Sequence, residues 1–110
     1  LIGYVFDENF EKTNPQIIDN FIQASLEARM ILKSSDAEWT RIQSLTGAKE
    51  PKMLKKVRDS FRNGIPKNNF TEMKKNIEKA YSVLAEIGGK KLVGKSKELE
   101  KGTLWTRQRR

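Results

Sequence analysis

Apolar residues in the middle of the chain recur at the spacing of an amphipathic helix. Between Ile17 and Leu32 they fall three or four positions apart, and Asn14-Pro15 immediately before them is typical of a helix start. Similar stripes occur in three further segments. The pattern therefore predicts four helices, over residues 14–34, 36–46, 50–63 and 69–88.

Capping residues and glycines mark the ends of these helices. The segment Ser35-Asp36-Ala37-Glu38 fits a capping box, and Asn69 stands three positions before Glu72 in the same way. Gly47 follows the apolar stripe of the second helix, and Gly88-Gly89 follows that of the fourth. Glycine readily adopts the left-handed conformation that ends a helix, so we expect stops at these positions.

The two ends of the chain differ from this helical region. Leu1–Phe6 is apolar, β-branched and aromatic, which predicts a buried strand. A lone strand leaves backbone groups unpaired, so we expect a partner strand in a larger α/β structure or in a homodimer formed through residues 1–6. The other expected outcomes are that the segment is disordered or is recruited into a helix. Residues 90–110 are expected to form an extended tail ending in the basic run Arg107–Arg110. The prediction is a mainly α single domain or fragment, with strand 1–6, helical region 14–89 and tail 90–110.

Composition excludes several kinds of chemistry. The 110 residues suit one small domain and include no Cys and no His, so disulfides, thiolate or imidazole metal sites and Ser/His dyads are ruled out. Asp7-Glu8 and Ser34-Ser35 lie at element boundaries, where caps and turns account for them. We therefore predict no catalytic residue, no metal, no cofactor and no enzymatic activity. No signal peptide is visible, and no apolar run approaches the roughly 18 residues of a membrane span.

The charge is strongly positive, with 22 Lys and Arg against 14 Asp and Glu and a net charge of +8. Such a balance raises nucleic acid as a partner. Acidic residues such as Glu50 and Asp59 are interleaved with the cations, and no glycine-aromatic RNA motif is present. The pattern favours a solvated lysine-rich face over nucleic-acid binding. A free-standing basic helical module that binds protein or nucleic acid stays open as the alternative.

Aromatic residues supply the candidate ligand contacts. Trp39 and Tyr81 lie on helical apolar stripes, which favours positions in the core. Tyr4 differs because it lies in the middle of the predicted strand beside Gly3, and a glycine in a strand often marks the close approach of a ligand or backbone. Gly3 and Tyr4 are therefore the predicted ligand-binding residues.

The order of several motifs resembles a known family. Ser34-Ser35-Asp36-Ala37-Glu38-Trp39 follows a long helix and precedes Phe61-Arg62-x-Gly64-Ile65-Pro66. Further matching segments are Gly3–Phe6, Asn14-Pro15, Ala28-x-x-Ile31-Leu32, Thr46-Gly47-Ala48, Leu84–Gly89 and Gly102-Thr103-Leu104-Trp105. In this order they resemble the carboxy-terminal part of ABC-transporter solute-binding proteins of the nitrate/taurine/sulfonate type, which includes relatives that bind thiamine-precursor pyrimidines.

This resemblance implies a fold and a function. The fold would be the two-lobed α/β periplasmic-binding-protein fold, to which this chain contributes a returning strand and the terminal helices. A small solute, anionic or heteroaromatic, would bind non-covalently between lobes that close on it and dock on a membrane permease. The resemblance also implies a periplasmic location, or an extracellular one with a membrane anchor.

Overall fold

The computed structural model describes residues 3–106 of the chain, and its architecture is mainly helical as predicted. Two compact units divide the chain, a first unit Leu1–Ile65 and a second unit Pro66–Arg110. The helices described are α1 (Glu8–Thr13), α2 (Pro15–Ser34), α3 (Asp36–Arg41), α4 (Gln43–Thr46), α5 (Pro51–Asn63) and α6 (Phe70–Val93). The first unit contains α1–α5, and the second contains α6 and the segment that follows it.

Most predicted helix ends are confirmed by their hydrogen bonds. The Ser35 hydroxyl accepts from the Glu38 backbone N–H at 3.3 Å, and the Asn69 side chain accepts from the Glu72 N–H at 2.9 Å. Both bonds satisfy an amide at a helix start that has no partner within the helix. Gly47 ends α4 in the left-handed conformation with φ 78°, which favours glycine at this position.

Asn14 precedes α2 at the expected position, but its side chain makes no capping hydrogen bond to that helix. Its side-chain amide donates to the Phe10 carbonyl at 3.3 Å and so belongs to the end of α1. Helix α1 itself was not predicted. It begins because the Asp7 carboxylate accepts from the Phe10 N–H at 3.0 Å, and Glu8 and Glu11 place negative charge near its positive N-terminal end.

The helix predicted over residues 36–46 is divided at Ile42. This residue has φ −96° and ψ 9°, outside helical geometry, and separates α3 from α4. Beyond it the Leu45 N–H donates to the Ile42 carbonyl at 2.8 Å, a three-residue spacing tighter than that of an α-helix. The turn brings Ile42 against the core, so packing overrides the continuous stripe in the sequence.

The predicted N-terminal strand is not present in the residues described. Residues 3–7 have no regular secondary structure, and Leu1 and Ile2 lie outside the described residues. The described part of the chain offers no other strand to pair with, so the backbone has no ladder to join. Instead the Tyr4 ring packs edge-on against Phe21 of α2.

The predicted stop at Gly88-Gly89 coincides with a break inside α6. Gly89 has φ 60° and ψ −160°, outside helical geometry, and a further short helical segment continues to Val93. Residues 90–93 are therefore helical and not part of an extended tail. Residues 94–106 contain neither helix nor strand, and the predicted basic run Arg107–Arg110 lies outside the described residues.

The core lies in the first unit. Trp39, Ala48 and Leu54 are buried together, and Trp39 is only 4% exposed. Partly buried apolar residues surround them, namely Leu32, Ile42 and Val57. The sequence prediction that Trp39 is a core residue is confirmed. In the second unit none of the described residues is fully buried, and Tyr81 is half-buried.

Candidate functional site

The predicted ligand residue Tyr4 lies on the surface of the first unit. Its side chain is 73% exposed, although its ring centroid is only 4.8 Å from that of Phe21, with the ring planes at 89°. The Ser25 hydroxyl donates to the Tyr4 hydroxyl at 3.4 Å. We call Tyr4, Phe21 and Ser25 the Tyr4 cluster. It is held by α2, which presents Phe21 and Ser25 one turn apart on one face.

Gly3 does not show the close approach expected of a strand glycine. A Cβ atom built on Gly3 would meet no atom within 4 Å. The space beside Gly3 is therefore open, and none of the described residues requires glycine there. Phe21 was predicted as part of an apolar stripe, yet it is 49% exposed, and Ser25 was not singled out as a site residue. Their four-residue spacing on a helix was the available signal.

The Tyr4 cluster has the chemistry of a binding surface. Edge-on aromatic rings offer a flat apolar contact, and a phenol that accepts from Ser25 keeps its own proton for donation to a ligand. None of these groups is a nucleophile activated by a neighbouring base. The Tyr4 cluster can bind a planar or anionic group but provides no activated nucleophile to react with it.

A second polar cluster joins three helices of the first unit. The Leu32 carbonyl at the end of α2 accepts from Trp39 Nε1 at 2.7 Å and from Arg62 Nε at 3.1 Å. Asp36 at the start of α3 lies 2.8 Å from Arg62 Nη2 and 3.3 Å from Arg58 Nη1. We call this set the Asp36 junction. Arg62 Nη2 is itself buried, and the Asp36 carboxylate 2.8 Å away is its ion-pair partner.

The contacts of the Asp36 junction shift the pKa of the Asp36 carboxyl group. The close side-chain contact with Arg62 is the main cause that lowers the pKa of Asp36 below its ordinary value. Desolvation opposes the shift, and the positive charges of Arg58 and Arg62 lower this pKa further. Because both guanidinium groups face Asp36, they are engaged in holding the helices together. Neither is free to bind an external anion.

The lysine-rich third predicted helix is therefore not one continuous basic surface. Arg58 and Arg62 turn toward the Asp36 junction, and Lys55 lies 3.9 Å from Asp59. Lys52 and Lys56 remain exposed on α5. Arg58 and Arg62 are therefore paired within the protein, whereas contacts to phosphates need available cations.

The second unit contains an open groove between α6 and the segment that follows it. The groove has a volume of about 760 Å³ and is lined by both lysine and glutamate side chains. The Tyr81 hydroxyl holds this segment to α6, because it lies 3.2 Å from the Val93 carbonyl and 2.9 Å from the Ser96 carbonyl. The lining includes Lys74, Lys75, Lys79, Lys101, Glu78 and Glu98. With both signs of charge present, the groove has no clear preference for an anion.

Within residues 3–106, no group of three or more potential metal-ligating side chains is placed to hold an ion. None of the helices described is long and apolar enough to cross a membrane.

Comparison of the chain with protein-family models, with curated proteins and with solved structures finds no match. The resemblance to solute-binding proteins therefore rests on the order of the motifs in the sequence.

Proposed function

We propose that this chain is the carboxy-terminal segment of a solute-binding protein that captures a small solute for import by an ABC transporter. Binding is non-covalent and is accompanied by closure of two lobes, with delivery to a membrane permease. The observation that carries the proposal is the Tyr4 cluster, which places a phenol and a second aromatic ring on an open surface. The α/β fold and the periplasmic or membrane-anchored location belong to the same proposal.

The chemistry of the cluster suits the solutes that the resemblance implies. A heteroaromatic ring can stack or pack edge-on against Tyr4 and Phe21, and an oxyanion can accept the proton of the Tyr4 hydroxyl. The net charge of +8 attracts anions to the molecule over a range set by the salt concentration. We therefore propose an anionic or heteroaromatic solute and no chemical reaction.

Binding to the whole chain can be followed residue by residue. Amide NMR spectra would be recorded during titration with nitrate, with taurine and with an aminopyrimidine. We expect at least one of the three to shift the Tyr4 and Ser25 amides, and Tyr4→Ala to weaken that binding at least tenfold. Leu45→Ala is the matched control, because Leu45 is 83% exposed in the same unit but outside the cluster. If no titrant shifts the cluster, the proposed site is wrong.

Whether this chain is a segment of a longer protein is tested separately. We expect the native protein to carry roughly 200 further residues, on the basis of typical domain sizes. Intact-mass measurement and N-terminal sequencing of the native protein would check this. A native product of 110 residues would contradict the proposal.

The alternative is a free-standing basic helical module that binds protein or nucleic acid. It is favoured by one observation, the concentration of positive charge in residues 66–110, which carry twelve Lys and Arg against five Asp and Glu. Anisotropy titration with a DNA duplex at about 0.15 M salt separates the two candidates. We expect weak, salt-sensitive attraction to phosphates. Submicromolar, sequence-selective binding would favour the basic module.

A further inference from the structure

The second unit carries nearly all of the net charge of the protein. Residues 66–110 have a net charge of +7, whereas residues 1–65, with ten Lys and Arg against nine Asp and Glu, have a net charge of +1. Such asymmetry between two parts of a chain is typical of a polyanionic partner for the charged part. The asymmetry therefore points to a binding surface in the second unit.

The end of α6 exposes aliphatic side chains. Val83 is 46% exposed and Leu84 is 50% exposed, while Ile87 is 80% exposed and Leu92 is 59% exposed. A Cβ on Gly88 would lie only 2.5 Å from Leu92 Cδ2, so the Leu92 side chain packs directly on the backbone at Gly88. Gly88 follows Leu84 by one helical turn, so this contact brings Leu92 next to the apolar stripe that includes Leu84. The aliphatic side chains thus form one patch and are not scattered.

Unpaired cations follow this apolar patch immediately. All four lysines between residues 88 and 97 are exposed, and none forms an ion pair within the described part of the chain. These residues are Lys90, Lys91, Lys95 and Lys97. No acidic residue lies between Glu86 and Glu98. We call the four lysines together with Val83, Leu84, Ile87 and Leu92 the α6 patch.

Hydrogen bonds keep the later lysines close to the helix. The Tyr81 hydroxyl contacts the carbonyls of Val93 and Ser96, on either side of Lys95. The Ser96 hydroxyl donates to the Glu98 carbonyl at 2.6 Å, which tightens the turn around Lys97. The chain is therefore turned back toward α6, and the cations are not left on a free extension.

We propose that the α6 patch binds the surface of an anionic lipid bilayer. The aliphatic side chains enter the headgroup region, and the four lysines lie against acidic headgroups, a combination typical of peripheral membrane attachment. A nucleic acid would use the cations but would offer no apolar surface to Ile87 and Leu92. This inference does not depend on the proposed solute-binding function, and solute titration and lipid binding can fail independently.

The test is flotation of the whole chain with vesicles at about 0.15 M salt. We expect binding to phosphatidylcholine vesicles that contain phosphatidylglycerol, and none to vesicles of phosphatidylcholine alone. Ile87→Gln should weaken binding at least fivefold, because it removes apolar area without changing charge. Leu45→Gln is the matched control, since Leu45 is equally exposed but lies in the first unit, and it should bind as the unchanged chain does.

The contribution of the four lysines is tested with a second matched pair of variants. Replacing Lys90, Lys91, Lys95 and Lys97 by Gln should abolish vesicle binding at this salt concentration. Replacing Lys49, Lys52, Lys55 and Lys56 by Gln removes the same charge from the first unit and should leave most of the binding. Equal loss from both variants would mean attraction by net charge alone and would overturn the proposal.

The same variants distinguish a lipid bilayer from two other partners of the α6 patch, a simple polyanion and a second copy of the chain. Heparin is a polyanion that offers no apolar interior. It should therefore bind the unchanged chain and the Ile87→Gln variant equally well. If Ile87→Gln leaves vesicle binding unchanged as well, the patch is a simple polyanion site and the proposal is wrong. If the chain self-associates in light scattering and Ile87→Gln makes it monomeric, a second copy covers the patch, which also overturns it.

Discussion

The two units use similar helical patterns with different results. In the first unit, five helices joined by short connections fold back on one another and bury Trp39, Ala48 and Leu54. In the second unit, the single long helix α6 has no fully buried residue, and Ile87 on its apolar stripe is 80% exposed. An apolar stripe supplies the potential for burial, but burial requires a second element at the right distance.

The units also differ in how they use charge. Arg58 and Arg62 of the first unit are directed at Asp36 and hold α3 and α5 together. Lys90 and Lys95 of the second unit face solvent without a described acidic partner. Cations in the first unit therefore contribute to its structure, whereas cations in the second are available for binding. We expect the first unit to be the more stable of the two.

The largest expected effect is on the core of the first unit. Trp39→Ala removes a buried ring that packs edge-on against Phe61 at 5.4 Å, and it also removes the donor to the Leu32 carbonyl. We expect a loss of about 3–5 kcal/mol in the free energy of unfolding of this unit. Urea titration followed by amide hydrogen exchange measures each unit separately. Leu45→Ala should lower this free energy only slightly. If Trp39→Ala left the free energy of unfolding of the first unit unchanged, its core would not be what distinguishes the first unit from the second.

A smaller effect is expected at the Asp36 junction. Arg62→Ala removes the bond to the Leu32 carbonyl and the closest partner of Asp36. We expect the first unit to lose about 1–3 kcal/mol, because Arg62→Ala leaves the partly buried Leu32 carbonyl with one donor fewer. Lys55→Ala serves as the control, since its pair with Asp59 at 3.9 Å is exposed and contributes little. If urea titration showed that Arg62→Ala and Lys55→Ala lower the free energy of unfolding equally, the Asp36 junction would stabilise the first unit no more than an exposed ion pair does.

In the second unit the corresponding test is Tyr81→Phe. The change keeps the ring and removes the hydroxyl that contacts the Val93 and Ser96 carbonyls. We expect a local loss of about 1 kcal/mol, seen as faster amide exchange in residues 94–98. Exchange in the first unit should not change. Faster exchange throughout the chain would mean that the two units are stabilised together.

The smallest expected effect concerns pH. The folded-state pKa of Asp36 is lowered, so its contribution to stability is present above its unfolded value of roughly 4 and is lost as pH falls through the folded value. Asp36→Asn should therefore make the urea midpoint of the first unit less sensitive to acid below about pH 4. The second unit should show no difference. If the urea midpoint of Asp36→Asn depended on pH as that of the unchanged chain does, Asp36 would not be the source of this acid sensitivity.

Local chemistry made much of the helical structure predictable. Ser35 and Asn69 act as caps because their side chains reach an amide only three residues away, and Pro15 begins α2 as expected. Helix α1 was missed because Asp7 was interpreted as the end of a strand, although the same residue caps a helix. Short polar segments leave this choice open, since one side chain can serve a turn or a cap.

The candidate site was less predictable. Tyr4 was identified from its position beside Gly3 in a predicted strand, but the residues described there form no strand. Its contacts with Phe21 and Ser25 join positions about twenty residues apart, which no local pattern in the sequence specifies. The Asp36 junction was missed for the same reason, because Arg62 reaches Leu32 across thirty residues of chain.

The sequence by itself determined the helical class, the main helix starts, the burial of Trp39 and the excess of positive charge. Each of these depends on residue type or on spacing within a few residues. Tertiary structure decided the break at Ile42, the exposure of Ile87 and the engagement of Arg58 and Arg62 with Asp36. These features depend on which elements meet in space, because the same apolar or charged side chain is buried, paired or exposed according to its neighbours.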